Sequence, residues 1–119
     1  MAYADPLVVT INAVAKSLPR VEFDKRSSVY FLREALQEFQ MKVRNTEYVS
    51  PSGVKVDRHN LEFTQTIYAT VTTAAVVRKI YVTFDNNRSD TDVGLLQSLV
   101  GFVGVLTPAN LQKSLNGES

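Results

Sequence analysis

From Arg58 to Tyr68 the side chains alternate. Arg58, Asn60, Glu62, Thr64, Thr66 and Tyr68 can all donate or accept hydrogen bonds, whereas Leu61, Phe63 and Ile67 are apolar, with His59 and Gln65 as exceptions on the apolar parity. A period of two marks a strand with one packed face and one wet face. The Thr, Phe, Ile and Tyr content suits such a surface. The spacing predicts a strand near the middle of an antiparallel sheet. Two further stretches read the same way: Phe39 to Thr46, with Phe39, Met41 and Val43 against Gln40, Lys42, Arg44 and Thr46, and Val76 to Asp85, with Ile80, Val82 and Phe84 against Lys79, Tyr81, Thr83 and Asp85. Upstream, Leu7 to Ala13 is β-rich and follows Pro6, and Lys16 to Phe23 is expected to return as a second strand, bulged or at an edge because of Pro19. This makes an N-terminal hairpin of residues 1–24. Asp24 to Ser27 and Ser50 to Gly53 are turn clusters, Ser28 to Leu32 a short strand, Arg33 to Gln37 locally helical by propensity, and Thr70 to Ala75 a small-residue loop. Residues 28–87 therefore read as an antiparallel meander.

After Asn86 and Asn87 the period lengthens. Ser89 or Asp90 is placed to cap a helix, with Asp92 in its first turn. Val93, Leu96, Leu99, Val100 and Val103 follow helical spacing, and Leu95, Phe102 and Leu106 carry the apolar surface almost all round. Such a helix is expected to be covered on several sides. Gly94, Gly101 and Gly104 each cost about 0.5–1 kcal/mol relative to alanine inside a helix, so they call for a packing reason. Thr107-Pro108 reads as cap and first position of a second helix, with Leu111 and Leu115 on one face and Gly117 as its stop. Strands first and helices last, within 89–116, make a single α+β domain over 1–119.

Composition narrows the chemistry. A chain of 119 residues with 45% hydrophobic content is sized for one domain with a core, and a formal charge of +1 announces no polyanion binder by itself. The absence of cysteine excludes disulfides and thiolate catalysis. The N-terminus has no basic region ahead of an apolar one, and the longest apolar run, Leu99 to Leu106, falls well short of the about 20 residues of a membrane span. A soluble protein without a membrane partner is expected. His59 is the only histidine, with no cysteine to complete a metal site, so a core or interface role fits it better than catalysis. Asp85, Asp90 and Asp92, with Asn86 and Asn87, offer oxygen ligands for a cation such as Ca²⁺ between subunits, although helix capping is the simpler use. No P-loop, nucleophile elbow, zinc spacing or dinucleotide fingerprint occurs. No enzyme activity, cofactor or small-molecule substrate is expected.

The apolar parity of the sheet comprises Phe39, Met41, Val43, Leu61, Phe63, Ile67, Ile80, Val82 and Phe84. Two short helices cover only part of it, and the last strand, which precedes them directly, is placed at an edge with unpaired backbone groups. Pairing two copies through that edge while exchanging helices answers both needs, with Ile80, Val82, Phe84, Leu96, Leu99, Val100 and Val103 at the dimer interface. The alternative is that the chain's own helices suffice and loops protect the edge.

Phe39-Gln40-Met41-Lys42-Val43-Arg44-Asn45-Thr46, the run Arg58-His59-Asn60, Glu62-Phe63-Thr64, Thr66 and Tyr68-Ala69, and Val77-Arg78-Lys79-Ile80-Tyr81-Val82 leading into two helices resemble the coat proteins of single-stranded RNA bacteriophages, the leviviruses, and within them the subgroup infecting Caulobacter. The resemblance spans the chain and is most specific in its middle. It implies an N-terminal hairpin, a five-stranded antiparallel sheet and two C-terminal helices, with two subunits interlocked into a homodimer and dimers assembled into an icosahedral shell, typically T=3. It further implies a virion protein, made in the host bacterial cytoplasm, whose partners are itself and single-stranded genomic RNA. Many members also bind an RNA hairpin that represses replicase translation and favours packaging. By position, the RNA-facing side chains are Lys42, Arg44, Thr46, Arg58, Asn60, Glu62, Thr64, Lys79, Tyr81 and Thr83. Tyr81 with Thr83 resembles the family's Tyr-x-Asn or Tyr-x-Asp pair, where the Tyr stacks on a base, but Thr83 has a shorter side chain than either. Cations for phosphate and tyrosines for unpaired bases suit single-stranded RNA. Glu62 suits it less, and is expected either to accept from a base amino group or to pair with Arg44 or Lys79. Two other readings use the same residues: a dimeric RNA-binding regulator that builds no capsid, and a host-like module binding a small ligand between sheet and helices.

Overall fold

The computed structural model describes residues 3–118. It divides into two compact units, residues 1–85 and 86–119, whose described parts are taken separately.

The first unit opens on a hairpin of β1 (Leu7–Ile11) and β2 (Val14–Leu18), paired antiparallel from Leu7↔Leu18 to Ile11↔Val14. Its two-residue turn holds Asn12 at φ 50° and Ala13 at φ 63°. Positive φ at both central residues matches the right-handed twist of the flanking strands, but an alanine there costs about 1–2 kcal/mol. Ala13→Gly removes that strain and loosens the unfolded chain by about 0.4–1 kcal/mol, so a small net gain in stability is expected in urea titration. A clear loss would mean that the turn has another geometry.

The strand expected from Lys16 to Phe23 is broken at Pro19, which has no N–H to donate and sits between β2 and β3 (Arg20–Phe23). The Pro19 carbonyl accepts from Phe31 N–H at 3.0 Å, so pairing with the larger sheet begins there. That sheet runs β3-β4-β5-β6-β7, with β4 Ser27–Arg33, β5 Gln37–Val49, β6 Lys55–Ile67 and β7 Val76–Asn87. The five-stranded sheet is thus completed by β3, from the end of the segment expected to belong to the hairpin. Arg33 to Gln37 is not helical. It holds the tight β4–β5 turn, closed by Glu34 N–H donating to the Gln37 carbonyl at 2.8 Å, because strand pairing on both sides outweighs a helix propensity of a few tenths of a kcal/mol per residue.

Cross-strand partners share a face, and this fixes the two surfaces. Tyr30↔Met41↔Phe63, Leu32↔Phe39↔Gln65 and Ser28↔Val43↔Leu61 lie on one side. The hairpin packs on this side: Leu18, Tyr30, Phe39 and Val43 form the buried centre, with Leu7, Val9 and Ile11 against it. The central part of the apolar face is therefore covered by the chain's own N-terminus, where helices alone had been expected as cover. Lys16 of β2 pins the hairpin to the β4–β5 turn, donating to both Glu34 oxygens at 3.0 Å while its ammonium lies 5.7 Å from the centre of the Phe39 ring. The hydrogen bond from Lys16 holds the Glu34 carboxyl below its ordinary range, helped by Gln37. Since the folded value is the lower one, this contribution is complete above the unfolded carboxylate range and disappears as pH falls through the folded value. Glu34→Gln is expected to flatten the acid side of the stability–pH curve, as followed by urea midpoints, and an unchanged curve would place the acid dependence elsewhere.

Gln65 occupies the apolar parity because it is satisfied there: it donates to Gln37 Oε1 at 3.0 Å and accepts from Arg78 at 3.2 Å. Contacts between β6 and β7 run Arg58–Asp85, His59–Phe84, Asn60–Thr83 and Gln65–Arg78. One number falls as the other rises, in constant antiparallel register. β7 is an edge strand, as its place in the chain predicts.

In the second unit, α1 (Asp92–Val103) is capped by Thr91, whose hydroxyl accepts from Gly94 N–H at 3.2 Å. The cap lies beyond the expected Ser89 or Asp90; Asp90 instead accepts from Thr91 N–H at 2.8 Å. A Cβ on Gly94 would come within 3.0 Å of the Thr91 hydroxyl, which accounts for a glycine in this first turn. After a bend of 65°, α2 (Pro108–Leu115) follows, capped by Thr107 through Asn110 N–H and with Pro108 at its first position, as predicted. No residue of either helix is buried in the single chain. No single described helix is long and apolar enough to cross a membrane.

Candidate nucleic-acid interface

The other side of the sheet is built from the alternate positions of the same strands. Its rows run Gln40↔Thr64, Lys42↔Glu62, Arg44↔Asn60 and Thr46↔Arg58 across β5 and β6. The β6–β7 register continues them to Lys79, Tyr81, Thr83 and Asp85 in turn. Lys42, Arg44, Thr46, Arg58, Asn60, Glu62, Thr64, Lys79, Tyr81 and Thr83 therefore lie on one surface. Their common face follows from strand parity alone.

Within that surface the arginines are engaged. Arg58 forms a two-pronged pair with Asp85, Nε to Oδ1 at 2.9 Å and Nη2 to Oδ2 at 3.0 Å, and its guanidinium lies 4.9 Å from the centre of the Tyr48 ring. Tyr48 also donates its hydroxyl to Asp85 Oδ2 at 3.1 Å. Arg58 holds the Asp85 carboxyl below its usual range, and the same contact pushes the guanidinium higher still. Arg44 donates to Glu62 at 2.7 Å, choosing between the two partners that the sequence left open for Glu62. Arg33 stands 3.8 Å from Glu38, which accepts from Tyr68 at 3.0 Å. Burial, followed by the Glu38 contact, raises the Tyr68 phenol. Asn60 accepts from Thr83 at 3.3 Å. Lys42 and Lys79 have no ion-pair partner among the described residues. Tyr81 is 57% exposed. A hollow of about 320 Å³ over β3, β4 and β5 is lined by Glu22, Ser27, Ser28, Val29, Gln40, Lys42 and Arg44.

Tyr48 was missed in the sequence because β5 runs three residues beyond Thr46, and its even parity is the signal that a longer strand would have exposed. On the opposite face His59 shares a 2.7 Å hydrogen bond between Nδ1 and Asn45 Oδ1 and stands 4.9 Å, ring to ring, from Phe84. The expected dimer-interface residues are largely uncovered in the single chain: Ile80 is 57% exposed, Val100 71% and Val103 50%, with Val82 and Leu96 also exposed and Leu99 and Phe84 half-buried. Asp85, Asp90 and Asp92, expected as oxygen ligands for a cation between subunits, are used as follows within the single chain. Asp85 is taken by Arg58 and Tyr48, Asp90 by the helix cap, and no group of three acidic or histidine side chains able to hold a metal ion occurs among the described residues.

An N-terminal hairpin, a five-stranded antiparallel sheet with one wet face, and two terminal helices together define the fold of the RNA-phage capsid proteins. The family model described as the coat protein of phage phiCb5 matches residues 4–87, most of the chain, and the chain belongs to that family. It is a structural protein of the virion. A search of curated proteins finds no match.

Proposed function

We propose that this capsid protein forms interlocked homodimers through the β7 edge and the exchanged helices, that dimers close into an icosahedral shell, and that the wet sheet face lines the interior against single-stranded genomic RNA. The same face binds an RNA hairpin, acting as packaging signal and translational repressor in the host cytoplasm. One observation carries the assembly: β7 is an edge strand, and the apolar side chains of β7 and both helices are left in solvent by their own chain. Exposed apolar side chains of this kind, together with an open sheet edge, are satisfied by a second copy. The RNA reading is supported by Lys42, Lys79 and Tyr81 on one open surface.

Expression of the chain alone, followed by electron microscopy and nuclease treatment of the soluble fraction, tests the proposal. Closed particles holding nuclease-protected RNA are expected. Salt-dependent RNA binding by small dimers without particles would point instead to a regulator, and a monomer indifferent to RNA would overturn both. Lys42→Ala with Lys79→Ala is expected to leave particles intact while flattening the dependence of log K on log salt by about 1.4 per chain for single-stranded RNA. An unchanged slope in filter-binding titrations would remove these lysines from the interface.

A further inference from the structure

Glu62 lies in the central row of the wet face, directly across from Lys42 on one side and, by register, from Tyr81 on the other. It does not pair with its direct neighbour. Its carboxylate reaches diagonally to Arg44 at 2.7 Å, and its side chain is only 12% exposed against 49% for Arg44. A phosphate approaching the middle of this face therefore meets a carboxylate. A phosphate that reaches the N–H groups Arg44 has left over also meets the neutralising Glu62 carboxylate, and full recruitment of Arg44 breaks a short charge-assisted bond and leaves Glu62 poorly solvated and unpaired.

We infer that Glu62 is a specificity-determining residue that masks Arg44 from phosphate, so that a non-specific polyanion draws on Lys42 and Lys79 alone. The inference rests on the RNA-facing reading of the sheet given above. Its consequence is selectivity. The pair opens without stranding a charge only for a ligand that brings a donor to Glu62 and an acceptor to Arg44 together. A nucleotide whose base carries an exocyclic amino group does this, and a bare polyanion does not. Glu62 thereby lowers background binding at the centre of the surface where Tyr81 is exposed.

Salt titration of a fluorescent oligouridine against the chain tests this, because each cation that meets phosphate adds about 0.7 to the slope of log K against log salt for a single strand. Glu62→Gln frees Arg44 and is expected to steepen the slope by about 0.7 per chain and tighten binding at low salt. The double variant Glu62→Gln with Arg44→Gln is expected to return to the wild-type slope, because the intact pair releases no counterion. A wild-type slope in the single variant would overturn the masking. So would a double variant flatter than wild type, since Arg44 would then already be meeting phosphate. The double variant decides by itself if the single one does not fold, with circular dichroism as the check. Wild-type protein that binds no oligouridine and no other single-stranded RNA at low salt would instead overturn the RNA reading beneath the inference.

Discussion

Phe39→Ala is expected to destabilise the sheet unit by about 3–5 kcal/mol, a large part of the about 5–15 kcal/mol that holds a domain together. Phe39 is 1% exposed, its ring is 6.3 Å from that of Phe63, and Lys16 lies over it from the hairpin. Truncation leaves a cavity between hairpin and sheet and takes away the ring under the Lys16 ammonium. Phe31, on the wet parity and only half-buried, is the control: the same change there removes less packing and costs less. Thermal unfolding of the two variants measures the difference. A cost below about 1 kcal/mol at Phe39 would mean that the hairpin does not lie on this face.

Val100→Asp with Val103→Asp is expected to abolish self-association. In the single chain these positions are 71% and 50% exposed, so in a free-standing subunit the substitution would shift stability by no more than about 0.5 kcal/mol per site. If a second copy covers them, each new carboxylate must be buried unpaired, which costs several kcal/mol and outweighs a typical contact. Sedimentation velocity separates the two outcomes, since assembled wild type would give way to a slowly sedimenting subunit. Continued assembly would take the helices out of the interface.

The wet face was legible in the sequence because strand parity is rigid. Once Arg44, Glu62 and Tyr81 fall on strands of known alternation, their common surface follows, and the register only sets which stand opposite. Ion pairing was legible only as a choice, with Arg44 and Lys79 both open as partners of Glu62. Glu62 faces Lys42 directly yet reaches Arg44 on the diagonal, and this depends on side-chain length and local twist rather than on spacing. The hairpin's position was hidden for a related reason. Leu7, Val9, Ile11 and Leu18 show an apolar stripe, but nothing in their pattern names the surface that it covers. Pro19 was visible as a disturbance, whereas the transfer of Arg20–Phe23 to the large sheet is a decision of tertiary pairing. Thr91 was passed over as a cap in favour of Ser89 and Asp90, equally good capping types one and two residues away, and only the backbone chose among them. The helices read as covered on several sides and stand uncovered in one chain, and the proposed dimer rests on that mismatch.

Hydrogen exchange of the β7 backbone amides in the assembled protein tests the proposed dimer most directly. Val76–Asn87 has β6 on one side only. Pairing with the same strand of a second copy is expected to slow exchange at its outward-pointing amides to the rate of those bonded to β6. Outward amides that exchange as fast as those of the Thr70–Ala75 loop would contradict a joint sheet, and with it the shell built from such dimers.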